Sequence, residues 1–193
     1  WWHSDRVGVI DMATFMSRDA LVPYSHVVYS VGNSPFHTYL LDAMPHRPGV
    51  ALVHEARLTG LFEACARQIG RSPDWFQELV RTEYPRVPEE VLVGGIRTPD
   101  AVKYGAYLLG PVIDRATKVL TTSEFTAEVG KRERPTRRAD ILCVGFGYPY
   151  RPTMRDRESI PLRLATVGRQ NETKGLETLI DAFAIVHAGR RDN

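Results

Sequence analysis

LRLATVGRQNETKGLETL, residues 162–179, is the stretch that decides the fold of this 193-residue chain. Leu162, Leu164, Ala165 and Val167 form a short, mostly apolar run that ends at Gly168. Such a run suits a strand buried on both faces, as in a parallel sheet. Gly168 lets the backbone turn sharply and come close to a ligand. After a polar loop, a helix is expected from about Lys174, with Leu176, Leu179, Ile180, Phe183, Ile185 and Val186 on its apolar face. A strand–loop–helix unit aims free backbone N–H groups at whatever lies above the strand, and the helix dipole favours an anion there. Arg169 and Lys174 add two cations at that mouth, one a fork and one a point charge. Two readings stand at this point: solvated loop charges, or a diphosphate site at the C-terminal edge of a parallel sheet.

The upstream chain carries the same alternation of strands and helices. VVYSV (27–31) is rich in β-branched residues and reads as a strand. It runs into Gly32 and Asn33, then Ser34 as a helix N-cap with Pro35 in the first helical position. Phe36, Leu40, Leu41 and Met44 give that helix one apolar side, and HRPG (46–49) stops it. VALV (50–53) is the next strand, ending at His54 and Glu55. Strand, capped helix and strand within about thirty residues are the βαβ signature of a doubly wound parallel sheet. Ligands of such sheets collect beyond the C-terminal strand ends, where Gly32, Asn33 and His54 fall. Further strands are expected at 118–122, with Ser123 capping the helix that follows, and at 141–144, ending in a turn at Gly145. RVGVI (6–10) is a plausible short strand, and residues 11–23 read as irregular or briefly helical.

Composition narrows the classes. Apolar residues make up 43% and charged residues 25%, as in an ordinary globular protein. A net charge of +2 is too small to argue for nucleic acid. Cys65 and Cys143 form neither a metal spacing nor a disulfide framework and read as buried, reduced thiols of a cytoplasmic protein. No run reaches the ~18 apolar residues of a membrane span, and no signal-peptide pattern is visible. His37, His46 and His54 lack metal-site spacing. His37 reads as reaching the cleft or as packing, and His54 has no Ser or Cys partner in a recognisable nucleophile elbow.

Val167-Gly168-Arg169, four residues, then Lys174-Gly175 and an amphipathic helix resembles the donor loop of the family 4 retaining glycosyltransferases. These are two-domain enzymes of the GT-B fold. YSVGNSPFHTYLLDAMPHRPGVALVHEARLTGLF (29–62) resembles the acceptor-side core of the same family, with its Gly-Asn-x-Pro-x-His turn, its helix, its strand ending in His-Asp and its Leu-rich helix. VLTTSEFTAEV (119–129) resembles a further step of that core. The likeness runs from about 27 to 187. The chain departs from the pattern at Glu55, where Asp is frequent, and at Val144, where His often precedes the glycine.

The resemblance implies an α/β chain of two Rossmann-like, doubly wound domains: an acceptor-side domain at 1–150 with a helical insertion at about 57–117, a linker at 151–161, and the start of a donor domain at 162–193. It implies transfer of a sugar from a UDP- or GDP-linked donor to a carbohydrate or lipid-linked acceptor, with retention of configuration. Gly168, Arg169, Lys174 and Gly175 would hold the diphosphate, and Arg169 and Lys174 would stabilise the leaving group. His54 would contact the transferred sugar or the reaction centre, and Gly32, Asn33, Glu55 and Gly145 would line the acceptor side. No metal and no further cofactor is implied, and no nucleic-acid partner.

The basic run KRERPTRR (131–138) reads as a solvated loop; the sharper alternative is contact with anionic lipid at the inner face of the membrane. The family's first strand is expected before Trp1, and its pair of donor-binding glutamates beyond Asn193. The 193 residues are therefore expected to be a piece of a longer protein, inactive alone. The rival expectations are a non-catalytic Rossmann-like binding or assembly module, and a different nucleotide-sugar enzyme such as an epimerase.

Overall fold

The computed structural model describes residues 8, 10–68, 72–145 and 175–189. The chain divides into two compact units, Trp1–Tyr148 and Pro149–Asn193. In the first, four strands form one parallel sheet: β1 (Val28–Val31), β2 (Val50–Val53), β3 (Lys118–Thr121) and β4 (Ile141–Cys143), in the order β1-β2-β3-β4. The unit is therefore α/β and consistent with a Rossmann-like domain. The order runs one way, so among the described residues there is no reversal of strand order of the kind that defines a doubly wound sheet.

Register explains how the sheet is buried. Tyr29, Ala51, Val119 and Ile141 stand side by side across the four strands, followed on the same face by Val31, Val53 and Thr121. All seven are buried. The alternate residues Val28, Ser30 and Leu142 are exposed, and Val50, Leu52 and Leu120 are half-buried. The all-apolar VALV run suggested a strand covered on both faces; the period-2 pleat instead sends one set into the core and leaves the other set open. Gly49 stands where the chain enters β2, and a Cβ there would lie 2.5 Å from the Val27 carbonyl oxygen. Only glycine lets β1 and β2 close this tightly at their start.

The helices follow in chain order. α1 (Met12–Leu21) is a full ten-residue helix, where the sequence suggested an irregular or briefly helical segment; Asp11 caps it by accepting the Thr14 N–H at 2.7 Å. Ser34 caps a 3₁₀ turn (Pro35–His37) that leads into α2 (Thr38–His46). Arg57 opens the helical insertion, then come α3 (Thr59–Gln68), α4 (Pro73–Glu83), α5 (Glu89–Gly94) and α6 (Thr98–Tyr104). By its sequence, 99–109 reads as one further helix with Gly110-Pro111 as its stop. The structure ends α6 at the left-handed Gly105 (φ 68) and starts α7 (Gly110–Arg115) at the supposed stop. Proline at the first turn lacks only an N–H that would be unpaired anyway, so Gly-Pro starts a helix here. α8 (Glu124–Glu133) follows β3 and is capped by Ser123, which accepts the Thr126 N–H at 3.2 Å. Cys65 is fully buried, as expected; Cys143 is half-buried.

The basic run at 131–138 is not a solvated loop. Lys131, Arg132 and Glu133 finish α8, and Pro135–Asp140 is a 3₁₀ helix. Arg134 forks onto Asp114 and onto Glu83, with a closest contact of 2.7 Å to Asp114 and 2.8 Å to Glu83. Arg137 donates to Asp140 and to the carbonyls of Ile113 and Ala116 at the end of α7. Glu133 turns inward: one carboxylate oxygen accepts the Tyr84 hydroxyl at 2.5 Å and the other the Gly110 N–H at 2.6 Å. Tyr84 in turn accepts the N–H of Leu108, a residue held at φ 59. A left-handed leucine is strained, and this chain of bonds is what holds it there.

Burial pushes the Glu133 carboxyl above its ordinary value of 4.5, against the pull of its hydrogen bonds to Tyr84 and the backbone. A carboxyl whose folded value is raised binds its proton more tightly when folded. Its contribution to stability therefore falls as pH rises from 4.5 to the raised value and is constant beyond it. Glu133→Gln removes that titration. Urea midpoints of both proteins between mildly acidic and neutral pH are expected to draw together as pH rises, or to cross, with the wild type losing ground. A pH-independent difference would count against the assignment.

In the second unit the described residues form one helix, α9 (Leu176–Gly189), entered through Gly175 at φ 65. Leu179, Ile180, Phe183, Ile185 and Val186 are exposed on it. The expected strands at 6–10 and 162–167 and the linker at 151–161 lie outside the described residues, apart from Gly8 and Ile10, which have no regular structure.

Candidate functional site

Parallel strands deliver their C-terminal ends to one edge, and loops there carry Gly32, Asn33, His54, Glu55, Thr122 and Gly145. The structure thus brings five of the sequence-predicted residues to one edge, Gly32, Asn33, His54 and Glu55 at β1 and β2 and Gly145 past β4. The Asn33 N–H donates to Glu55 Oε1 at 2.7 Å, tying the loop after β1 to the loop after β2. Asn33 Oδ1 accepts the Leu61 N–H at 2.9 Å, satisfying one of the open donors at the start of α3. Asn33 and Glu55 are thus the clamp that shapes the edge. The extra methylene of Glu55 relative to aspartate is part of the reach to the Asn33 backbone.

His54 continues the ladder: its N–H donates to the Val31 carbonyl at 3.0 Å, and its carbonyl accepts Thr122 Oγ1 at 3.2 Å. Its ring is fixed by a hydrogen bond of 2.7 Å between Nε2 and Ser30 Oγ. Ser30 was missed in the sequence. It stands on the open face of β1, beside Leu52, and His54 lies two residues beyond Leu52 on the same face. That periodicity was the available signal. Ser30 sits inside a strand and not at an elbow; among the described residues no group orients His54 Nδ1.

His37, left open between a cleft role and packing, belongs to the edge. Its Nδ1–H donates to the Ser30 carbonyl at 2.8 Å. A carbonyl only accepts, so Nδ1 carries the proton and the neutral ring keeps a lone pair on Nε2. That nitrogen faces Gly32. A Cβ built on Gly32 would meet His37 Nε2 at 3.5 Å and Glu55 Oε1 at 3.6 Å. Gly32 is buried, and the missing methyl leaves an imidazole acceptor and the Asn33-bound carboxylate oxygen of Glu55 on either side of its Cβ position. Phe36, in the same 3₁₀ turn as His37, is 84% exposed.

Gly145, two residues past β4, is left-handed (φ 63), with nothing within 4 Å of its Cβ position among the described residues. Gly168, Arg169 and Lys174 lie outside the described residues. Gly175 is left-handed, which suits a glycine at a helix entrance, and among the described residues nothing lies within 4 Å of its Cβ position. Among the described residues there is no group of three His, Cys, Asp or Glu side chains placed to hold a metal ion. No described helix is long and apolar enough to cross a membrane. No protein-family model, no curated protein and no solved structure matches this chain.

Proposed function

We propose that this chain is part of a retaining, GT-B-type glycosyltransferase that moves a sugar from a UDP- or GDP-linked donor to a carbohydrate or lipid-linked acceptor. The observation that carries the reading is the edge itself: His54, His37, Asn33 and Glu55 converge beyond the ends of β1 and β2, where parallel α/β sheets bind ligands. The fixed imidazoles offer hydrogen bonds to sugar hydroxyls. Arg169 and Lys174, with Gly168 and Gly175, supply the diphosphate grip and offset charge on the leaving group. The setting is cytoplasmic, which the free thiols of Cys65 and Cys143 support. Of the five cations at 131–138, Arg134 and Arg137 are committed to internal bonds and Lys131 pairs with Glu128 at 2.9 Å, so any lipid contact by this run rests chiefly on Arg132 and Arg138.

A second reading, a binding or assembly module without turnover, is favoured by one observation. The edge groups bond one another: Glu55 to Asn33, Ser30 to His54 and His37. Calorimetric titration with UDP- and GDP-linked sugars tests the proposal. Saturable binding is expected, and Gly32→Ala is expected to weaken it by about tenfold or more while leaving stability within ~1 kcal/mol. The added methyl makes only ordinary contacts in the free protein but stands between the imidazole and the carboxylate of the edge. Absence of binding to every nucleotide sugar, with the chain shown to be folded, would sink the transferase reading.

A further inference from the structure

We propose that a second site, separate from the strand edge, binds a neutral polyhydroxylated ligand, a saccharide by chemical class, in the cavity between α3, α4 and α5. The cavity has a volume of about 610 Å³ and is lined by Glu63 and Arg67 of α3, Phe76 and Gln77 of α4, and Leu92 and Gly95 at the end of α5, among others. That volume lies within the ~300–1,000 Å³ of small-molecule sites. None of these residues takes part in the edge described above.

Glu63 and Arg67 are four apart on one helix, an arrangement that ordinarily closes into an ion pair. Here no hydrogen bond or ion pair within 4.0 Å joins them, and among the described residues neither head group has a hydrogen-bond partner. Burial raises the Glu63 carboxyl above its ordinary value, and Arg67 and Arg57 pull it back only in part. Arg57 is committed elsewhere, to Thr59, Thr98 and the Ile96 carbonyl. Gln77 Oε1 accepts Arg81 at 3.4 Å, which leaves its amide hydrogens to the cavity. Gly95, at φ 80, presents bare backbone, and the nearest atom to its Cβ position is Glu63 Oε1 at 4.0 Å.

The lining chooses the ligand class. One acid and one base cancel, so an anion would meet Glu63 and a cation would meet Arg67. A purely apolar ligand would strip water from both charges without replacing its hydrogen bonds. Hydroxyl groups satisfy both, donating to the carboxylate and accepting from the guanidinium and the Gln77 amide. The C–H face of the same ligand can rest on Val93, the exposed apolar residue of the lining. α3 also runs from the strand edge: Glu63 and Arg67 lie two and six residues past Leu61, whose N–H Asn33 holds, or about 3 and 9 Å along the helix axis.

The test is calorimetry of the whole chain with glucose, galactose, mannose, maltose and lactose, and with octyl glucoside below micelle formation. Saturable binding by at least one is expected, weakened about tenfold by Glu63→Gln and by Arg67→Met, and unchanged by Gly32→Ala. Free sugars binding as well as octyl glucoside would identify a glycan as the source, and octyl glucoside binding more tightly would identify a glycolipid. Affinity should also fall as pH drops through the raised Glu63 range, because hydroxyl donors favour the carboxylate. Glu63→Gln conserves shape, so it stays decisive should Arg67→Met fail to fold. The proposal is overturned if no saccharide binds, if binding survives both cavity variants, if Gly32→Ala abolishes it, or if phosphate or a simple amine binds more tightly than any neutral sugar.

Discussion

Arg134→Met is expected to cost about 3 kcal/mol of folding stability, near the lower end of what breaking a buried ion pair costs. Its side chain is only 20% exposed and meets Glu83, itself 17% exposed, so removing the guanidinium leaves a carboxylate with little access to water. Asp114, at 48% exposure, recovers more of its hydration and contributes less. The same guanidinium stacks over Gly110, where a Cβ would come within 2.4 Å of Nη1 and 2.6 Å of Cζ. Gly110→Ala should therefore mimic part of the loss without touching any charge, by pushing the fork off its carboxylates. Urea denaturation followed by circular dichroism would measure both. The m-value should stay constant, since the surface exposed on unfolding does not change. A loss below 1 kcal/mol for Arg134→Met would show the fork to be no more than a surface pair.

Sequence separation explains why that fork was not legible. Arg134 reaches Glu83 across 51 positions and Asp114 across 20, so KRERPTRR carried only its own composition. What local chemistry determines was readable. Short apolar runs, the first of them rich in β-branched residues, marked all four strands, and Ser34 and Ser123 marked the starts of the elements after β1 and β3. α1 was lost because its signal is a cap at Asp11 with no buried stripe behind it. Gly110-Pro111 was read as punctuation because glycine and proline end helices as readily as proline begins them.

The site divides the same way. Gly32, Asn33, His54 and Glu55 were legible because they sit at strand ends, where the βαβ rule places ligands. Ser30 was not, because a serine within a strand resembles any solvent-facing residue until its neighbour across the sheet is known. Nor did the sequence distinguish support from chemistry: Asn33 and Glu55 proved to hold each other and α3, whereas His37 keeps an uncommitted nitrogen toward Gly32.

In the complete transferase of which this chain is proposed to be part, Arg169→Ala is expected to lower sugar transfer by about 10²–10³-fold, the effect of removing one preorganised donor from a developing charge. In the proposed reaction, negative charge grows on the leaving diphosphate, and a guanidinium can take two of its oxygens at once. Arg169→Lys keeps the charge and loses the fork, so it should fall between wild type and alanine. Lys174→Ala should cost less than Arg169→Ala, because a point charge is more easily replaced by water and ions. The pattern separates the two readings. A transferase loses turnover in the order Lys174→Ala, then Arg169→Ala, with donor binding weakened less than rate, because the contact strengthens as charge builds. A binding or assembly module keeps its biological activity in Arg169→Ala, since nothing in it develops charge. Equal losses in rate and in donor affinity would mean that Arg169 holds the nucleotide without aiding the chemistry, and the catalytic role would pass to the imidazoles of the strand edge.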